Sequence, residues 1–173
     1  MAAEAALVAQ RLQEAQENNK IDLTSCGLMK FPNAIYIFLK HTPVQSCSFS
    51  NNQLKRIPPR FPMTFKTIQE LNMSDNKLSE FPEEMSEMTD IQTLDISKNQ
   101  FTCLPDVVYQ YSKLHRLKLD HNHISDIDVE RLIQMSSLQE VDLRGNPLSP
   151  EAKCRLQESS IKVLLDRPEE GDS

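Results

Sequence analysis

Apolar and polar positions along the middle of the chain follow a sequence pattern that repeats almost unchanged. One copy runs Ile-Gln-Glu-Leu-Asn-Met-Ser-Asp-Asn-Lys-Leu-Ser-Glu-Phe-Pro over residues 68–82, and the next runs Ile-Gln-Thr-Leu-Asp-Ile-Ser-Lys-Asn-Gln-Phe-Thr-Cys-Leu-Pro over residues 91–105. Both fit the template L-x-x-L-x-L-x-x-N-x-L-x-x-L-P, in which apolar residues interchange at each L. A template held at a fixed period predicts a solenoid built from one structural unit per repeat.

An asparagine marks the register of five copies, with steps of 24, 23, 23 and 24 residues; these are Asn52, Asn76, Asn99, Asn122 and Asn146. The first copy, residues 21–32, has Cys26 at this position, and we interpret that cysteine as a structural residue that fills a small buried volume. Two apolar residues precede each asparagine, as Leu71 and Met73 precede Asn76. Because residues two apart share one face of a strand, each copy predicts a short strand that lines the core.

Proline follows the last apolar residue in four of the copies, at Pro32, Pro58, Pro82 and Pro105. A fixed φ and a missing N–H suit the first position of a helix, so these prolines predict short helices on the outer side of the bend. The predicted segments are 33–39, 59–65, 83–88, 106–111 and 128–135, and Asp128 is predicted to cap the last of them. The fold class is therefore an α/β solenoid, with a curved parallel β-sheet on the concave side and short helices and turns on the convex side.

The two ends of the repeat region differ from its middle. Residues 1–19 are rich in Ala, Glu and Gln with apolar residues at helical spacing, which predicts an N-terminal capping helix; a partner-binding helix is the alternative. About six repeats are predicted over 20–148 and a C-terminal cap over 149–166, where Ser149 and Pro150 begin a helix and Ile161 and Val163 form a last strand. Residues 167–173 have no apolar side chain to bury and are predicted to be a disordered tail.

The residues that carry this template resemble the leucine-rich repeat family over residues 21–148. The resemblance implies a leucine-rich repeat solenoid, and the proline near the end of most repeats is similar to the intracellular, Ras-suppressor-like class of that family. It also implies a protein that binds another protein and is not an enzyme.

Charge and cysteine usage narrow the class of partner. The chain has 25 acidic residues against 19 Lys and Arg, a formal charge of −6, and we see no basic cluster in it, so we predict no nucleic-acid partner. It lacks an apolar run of about 18 residues and a secretory leader, so we expect no membrane span and no export. Four scattered cysteines, Cys26, Cys47, Cys103 and Cys154, predict free thiols in a reducing, cytoplasmic environment. We expect a monomer.

Residues between the core positions of each strand are predicted to form the concave surface. These exposed strand positions include no aromatic residue, although aromatic residues dominate tight interfaces. The candidate partner-binding residues are Asp95, Arg116, Lys118, Asp120, His121, Asp142 and Arg144.

Two interpretations of this surface stay open. In the first, the charges compensate one another across strands about 4.8 Å apart: Lys118 lies between Asp95 and Asp142, Arg116 beside Glu140, and Asp120 beside Arg144. In the second, the basic residues of the fifth and sixth strands bind an acidic segment of a partner; these are Arg116, Lys118, His121 and Arg144.

Other candidate sites are weaker. The convex aromatics are predicted to be mostly core, but Phe61, Phe65 and the prolines around them lie in the least regular repeat and form our second-choice contact surface. Three histidines, His115, His121 and His123, fall in the fifth repeat, but the template places His121 and His123 on opposite sides of the bend, so we predict no metal and no cofactor. No carboxylate pair is placed in an apolar cleft that would raise one pKa, so we predict no catalytic residues.

Two hypotheses of function follow. The first is an intracellular adaptor or scaffold that holds a partner protein of unknown identity on the concave sheet. The alternative is a regulatory subunit of a signalling enzyme, such as a phosphatase or a member of a small-GTPase pathway.

Overall fold

The repeats form one parallel sheet, as predicted. The computed structural model describes residues 2–167, so all but the first residue of the predicted tail lies outside the described residues. Seven strands are hydrogen-bonded in chain order, each to the next. They are β1 (Lys20–Asp22), β2 (Ser46–Ser48), β3 (Glu70–Asn72), β4 (Thr93–Asp95), β5 (Arg116–Lys118), β6 (Glu140–Asp142) and β7 (Lys162–Leu164).

Neighbouring strands pair without a slip in register, so one apolar row runs through the middle of the sheet. Its members are Ile21, Cys47, Leu71, Leu94, Leu117, Val141 and Val163. All but Val163, which packs against the core half-buried, are 2% exposed or less. The period of two that predicted the inward face therefore holds in every strand.

The asparagines form a buried ladder that closes each repeat. Asn99 is typical: its Nδ2 donates to the carbonyl oxygens of Met73, Ile96 and Ser97 at 2.9–3.1 Å, and its Oδ1 accepts from the Leu78 amide at 2.9 Å. These bonds satisfy backbone groups left open where the strand ends. Cys26 occupies the equivalent place in the first repeat, where it is 2% exposed and its amide donates to Asn52 Oδ1 at 3.1 Å.

The residue before each ladder position has a positive φ, which turns the chain away from the sheet. These residues are Ser25, Asn51, Asp75, Lys98, His121 and Gly145, with φ between 52° and 69°. Gly145 also meets a close neighbour, because a Cβ built there would lie 3.0 Å from His121 Cδ2. The other repeats show that this φ also admits Ser, Asn, Asp, Lys and His, so the close approach of His121 is what favours glycine at position 145.

Short helical segments occupy the convex side where they were predicted. They are α2 (Ala34–Phe38), α3 (Arg60–Thr64), the 3₁₀ turns Glu83–Glu87 and Asp106–Gln110, and α4 (Val129–Ile133). The Asp128 cap is confirmed, since its Oδ1 accepts from the Arg131 amide at 3.0 Å. The prolines are displaced from the predicted first helical position: Pro82 and Pro105 are the cap residues of their turns, with non-helical ψ values of 152° and 135°.

A helix covers the first strand of the sheet, whereas the last helix contacts α4 and precedes the edge strand β7. The predicted N-terminal helix is α1 (Ala2–Asn18), which buries Leu12 and Ala15 completely, while Arg11 Nη1 donates to the Thr24 carbonyl at 2.7 Å. At the other end α5 (Pro150–Gln157) begins at the predicted cap, with the Ala152 amide donating to Ser149 Oγ at 3.1 Å. The division into capping and repeat units remains a prediction. Among residues 2–167, no helix is both long and apolar enough to cross a membrane.

Candidate interaction surfaces

The concave face carries the polar residues in the predicted rows. The register aligns Thr93 with Arg116 and Glu140, and Asp95 with Lys118 and Asp142. Seven strands in one register bring Asp95, Arg116, Lys118 and Asp142 onto one surface, while Asp120, His121 and Arg144 lie just beyond the strand ends.

One predicted charge pair forms across the last strands. Arg116 Nε lies 3.6 Å from Glu140 Oε1, and Lys162 Nζ of β7 donates to Glu140 Oε2 at 2.7 Å. The Lys162 hydrogen bond, helped by the charges of Lys162 and Arg116, holds the pKa of Glu140 below its usual value. Glu140 is thus compensated from both sides, and Arg116, whose side chain is 56% exposed, keeps donors free for solvent.

Arg144 pairs with a residue other than the expected one. We predicted Asp120 beside Arg144, but Arg144 binds Asp142, the last residue of the preceding strand β6, with Nε 3.0 Å from Oδ1 and Nη2 2.6 Å from Oδ2. The two side chains lie two positions apart and share one face, which allows the bidentate geometry. Asp120 instead lies 2.9 Å from His121 Nδ1. Burial alone would raise the pKa of Asp142, but the Arg144 hydrogen bonds outweigh it and hold that pKa low.

Lys118 differs from its basic neighbours on this face. Both carboxylates beside it are engaged, since Asp142 holds Arg144 while Asp95 Oδ1 accepts from the Ser97 amide and hydroxyl at 3.0 and 2.7 Å. Lys118 is exposed and makes no ion pair within 4 Å among residues 2–167. The predicted salt bridges from Lys118 to Asp95 and Asp142 are therefore wrong, and its ammonium group is available.

A shallow hollow of about 390 Å³ lies beside Lys118. Its lining is mostly small and polar: Ser46, Cys47, Ser48, Glu70, Leu71, Asn72, Thr93, Asp95, Arg116 and Lys118. Cys47 and Leu71 contribute little to its surface because both are 1% exposed. The hollow therefore offers hydroxyl and amide groups and the carboxylates of Glu70 and Asp95, with two cations at the β5 side.

Two of the four cysteines are buried, and the histidines do not gather into a metal-binding group in the described part of the chain. All four thiols are free, and burial raises the pKa of Cys26 and of Cys47, which makes both poor nucleophiles. Between residues 2 and 167, no three His, Cys, Asp or Glu side chains converge in a way that would hold a metal ion.

The second-choice surface is wrong in its two phenylalanines, because Phe61 and Phe65 are buried, at 0% and 2% exposure, whereas the neighbouring Pro58 and Pro59 line a groove. Phe61 packs against the rings of Phe31, Phe49 and Phe65, with centroids 5.1–5.8 Å apart. The general prediction that the convex aromatics are mostly core holds for these two rings, which are enclosed by the stacking of consecutive repeats and not by helical spacing within one of them.

A groove of about 610 Å³ lies next to this aromatic cluster, between the convex loops of the first two repeats. Its lining residues are Met29, Lys30, Phe31, Asn33, Tyr36, Lys55, Arg56, Ile57, Pro58, Pro59 and Arg60. We missed this groove, whose basic rim also contradicts our statement that the chain has no basic cluster. A visible pattern could have revealed it: residues 23–69 contain six Lys and Arg but no Asp or Glu.

Known proteins share the repeat. The family description "Leucine rich repeat" matches residues 44–101 and 91–148. Leucine-rich repeat-containing protein 20 of Mus musculus is 32% identical over 152 residues, which cover 86% of this chain and 83% of that protein. MAP kinase phosphatase with leucine-rich repeats protein 1 of Dictyostelium discoideum is 33% identical over 81 residues, 46% of this chain and 10% of that protein.

Solved structures show the same fold. A leucine-rich repeat protein of Leptospira interrogans superposes with a TM-score of 0.62 at 24% identity, covering 91% of this chain and 50% of that one. The leucine-rich repeat domain of APL1B gives a TM-score of 0.68 at 18% identity, covering 83% and 43%. At these identities the likeness concerns the fold alone. From the matched residues and the relative that is similar over most of its length, the chain belongs to the leucine-rich repeat family.

Proposed function

We propose that this leucine-rich repeat protein is a cytoplasmic, monomeric adaptor or scaffold that holds another protein on its concave face. The family and the fold support a protein-interaction module in general. The concave role and the seven binding residues Asp95, Arg116, Lys118, Asp120, His121, Asp142 and Arg144 are our proposal. In it the chain acts by binding and performs no catalysis.

The observation that carries the proposal is the unpaired Lys118. Its neighbours Asp95 and Asp142 use their carboxylates on residues two positions further along the chain, so an incoming carboxylate or carbonyl group can bind the Lys118 ammonium without displacing a native partner. Arg116 stands beside it and shares only one of its donors with Glu140 at 3.6 Å. A partner with an acidic or carbonyl-rich loop fits this pair of cations.

The hollow beside these cations sets the expected strength of binding. Its small polar side chains, such as Ser46, Ser48 and Thr93, provide hydrogen bonds but no large apolar anchor. Since hot spots are enriched in Trp, Tyr and Arg, we expect dissociation constants on the order of micromolar for this face. An adaptor that exchanges partners suits that range.

The alternative, a regulatory subunit of a signalling enzyme, has weaker support. One relative is by name a MAP kinase phosphatase and another a leucine-rich repeat serine/threonine-protein kinase of Mus musculus, but this chain spans 10% and 5% of them. By name, each of these relatives combines leucine-rich repeats and a signalling enzyme in a single chain. In the alternative, this chain would supply the repeats to a separate enzyme.

Affinity capture with two matched double variants tests the concave site. Arg116→Glu with Lys118→Glu reverses the proposed site, while Lys40→Glu with Lys77→Glu makes the same charge change at two exposed lysines that line neither the concave hollow nor the convex groove. We expect proteins captured from cytosol by the wild type to fall at least about tenfold with the first variant and to persist with the second. Unchanged capture by the first variant would remove the concave proposal. Recovery of a single enzyme in equal amount would favour the regulatory alternative.

A further inference from the structure

The convex groove of about 610 Å³ lies away from the sheet, because none of its lining residues belongs to a strand. One wall comes from the loop after the first strand, with Met29 and Phe31, and the other from the loop after the second strand, residues 55–60. Tyr36 of α2 also lines it. Its volume is in the range of sites that enclose a ligand or a few side chains of a peptide.

Positive charge is concentrated at this groove in an otherwise acidic chain. Lys30, Lys55, Arg56 and Arg60 line it, and none of its lining residues is acidic. Across residues 2–167 these four cations make no ion pair within 4 Å, whereas cations elsewhere often pair, as Lys113 does with Asp90 at 2.5 Å. A concave surface lined by one sign of charge attracts ligands of the opposite sign.

Apolar surface is concentrated in the same region. The large apolar side chains that are exposed in the described residues are Met29, Ile37, Phe38, Met63 and Ile133, and all but Ile133 fall between residues 29 and 63. Met29, at 67% exposure, lines the groove together with Phe31, Pro58 and Pro59. An exposed apolar surface with a charged rim is typical of a protein contact site.

Tyr36 provides an independent indication that the groove is incomplete. Tyr36 is 5% exposed. Within residues 2–167 its hydroxyl is buried and has no hydrogen-bond partner. Buried polar groups are nearly always paired, so each exception needs an explanation. The Arg60 guanidinium lies over the Tyr36 ring, 4.2 Å from its centroid, and a ligand that draws Arg60 aside would open the hydroxyl to a bond.

We propose that this groove binds an acidic segment of a partner protein, with an apolar side chain of that segment seated between Met29, Phe31 and Ile57 and its carboxylates on Lys30, Lys55, Arg56 and Arg60. This is a second docking surface, and it does not depend on the proposed concave function. A flat bilayer surface does not fill a groove between two loops, and a phosphate backbone leaves its apolar lining uncovered. A peptide that carries both chemistries satisfies the whole lining.

Selection from a random dodecapeptide library displayed on phage, with the full chain as bait, tests the proposal without knowledge of the partner. We expect the selected peptides to have Asp or Glu on both sides of Leu, Ile, Met or Phe. The most frequent peptide, made with a fluorescent label, should then bind the wild type in anisotropy titrations and weaken at higher salt, since its carboxylate contacts are screened.

Three variants locate the binding of that peptide. We expect about tenfold weaker binding for Lys55→Glu with Arg56→Glu, which reverses two exposed cations, and about threefold weaker binding for Met29→Ser, which removes an exposed apolar side chain. Arg116→Glu with Lys118→Glu should change it less than about twofold, because those residues lie on the concave face. Far-ultraviolet circular dichroism checks that each variant keeps its fold.

Several results would overturn the groove proposal. The first is a selection that yields no peptides with both acidic and apolar residues. The second is a selected peptide that binds the Lys55→Glu, Arg56→Glu variant as tightly as it binds the wild type. Loss of binding in the concave variant alone would assign the peptide to the other face. If no peptide is selected but phosphatidylserine vesicles or a labelled single-stranded oligonucleotide bind the wild type and not the groove variant, the ligand is a membrane or a nucleic acid.

Discussion

Two regions of the molecule share the same backbone fold but differ in their surfaces. They are the first two repeats, residues 20–69, and the later repeats, residues 70–148. The early repeats are built around an aromatic cluster of Phe31, Phe49, Phe61 and Phe65, and their exposed cations are mostly unpaired. The later repeats have a mainly aliphatic core, and many of their charges meet within 4 Å, on the concave face and on the convex face alike.

The comparison shows that repeats with the same backbone fold can differ in how much surface they leave available for a partner. Where the template is most regular, many charges of neighbouring repeats pair, although Lys77, Lys98 and Lys118 make no ion pair within residues 2–167. Where the template departs most from regularity, charge and apolar area are left uncompensated between the loops. In a solenoid each repeat contacts only its neighbours, so one part can carry a binding groove while another stays self-contained.

The largest expected effect on stability comes from removing an asparagine of the buried ladder in the later repeats and comparing it with the cysteine at the same place in the first repeat. We expect Asn99→Ala to lower the free energy of unfolding by about 3 kcal/mol, because three carbonyls and the Leu78 amide lose their buried partner. Cys26→Ala, at the equivalent place in the first repeat, should cost only about 1 kcal/mol. Urea unfolding followed by circular dichroism measures both. Equal losses would mean that Cys26 contributes as much as a ladder asparagine.

The charge compensation of the later repeats gives a pH-dependent test. Because the folded pKa of Asp142 lies below that of the unfolded chain, about 3.9, its contribution is present above that pH and is lost as pH falls through the folded pKa. We expect Asp142→Asn to cost about 2 kcal/mol at pH 7 and much less near pH 2.

Urea unfolding at both pH values measures this dependence, with Asp106→Asn as the control. Asp106 pairs with Arg131 at 2.6 Å, but its side chain is 84% exposed, so the control should leave stability unchanged. A loss for Asp142→Asn that is the same at both pH values would show that the ionised pair does not stabilise the fold.

Sequence reasoning found the features that depend on local rules. The strands follow from a period of two, the ladder from a fixed step, and the caps at Asp128 and Ser149 from side chains that match helix starts. It failed where one side chain has two possible partners. Arg144 pairs with Asp142 and not with the predicted Asp120, because side-chain geometry decides which pair forms. It also missed the groove, because the template says nothing of the space between convex loops. Whether the seven concave residues bind a partner stays a prediction.

Two buried tyrosines, one in each part of the molecule, give the smallest and most direct test. Tyr111 donates to the Met85 carbonyl at 3.0 Å, and burial raises its pKa, so Tyr111→Phe should lower the free energy of unfolding by about 1 kcal/mol. Tyr36→Phe removes a hydroxyl that has no partner within residues 2–167, so stability should stay equal or rise by up to about 1 kcal/mol. Thermal and urea unfolding compare the two variants. A loss for Tyr36→Phe as large as for Tyr111→Phe would show that its hydroxyl is already bonded in the free protein, and would remove the Tyr36 argument for an incomplete groove.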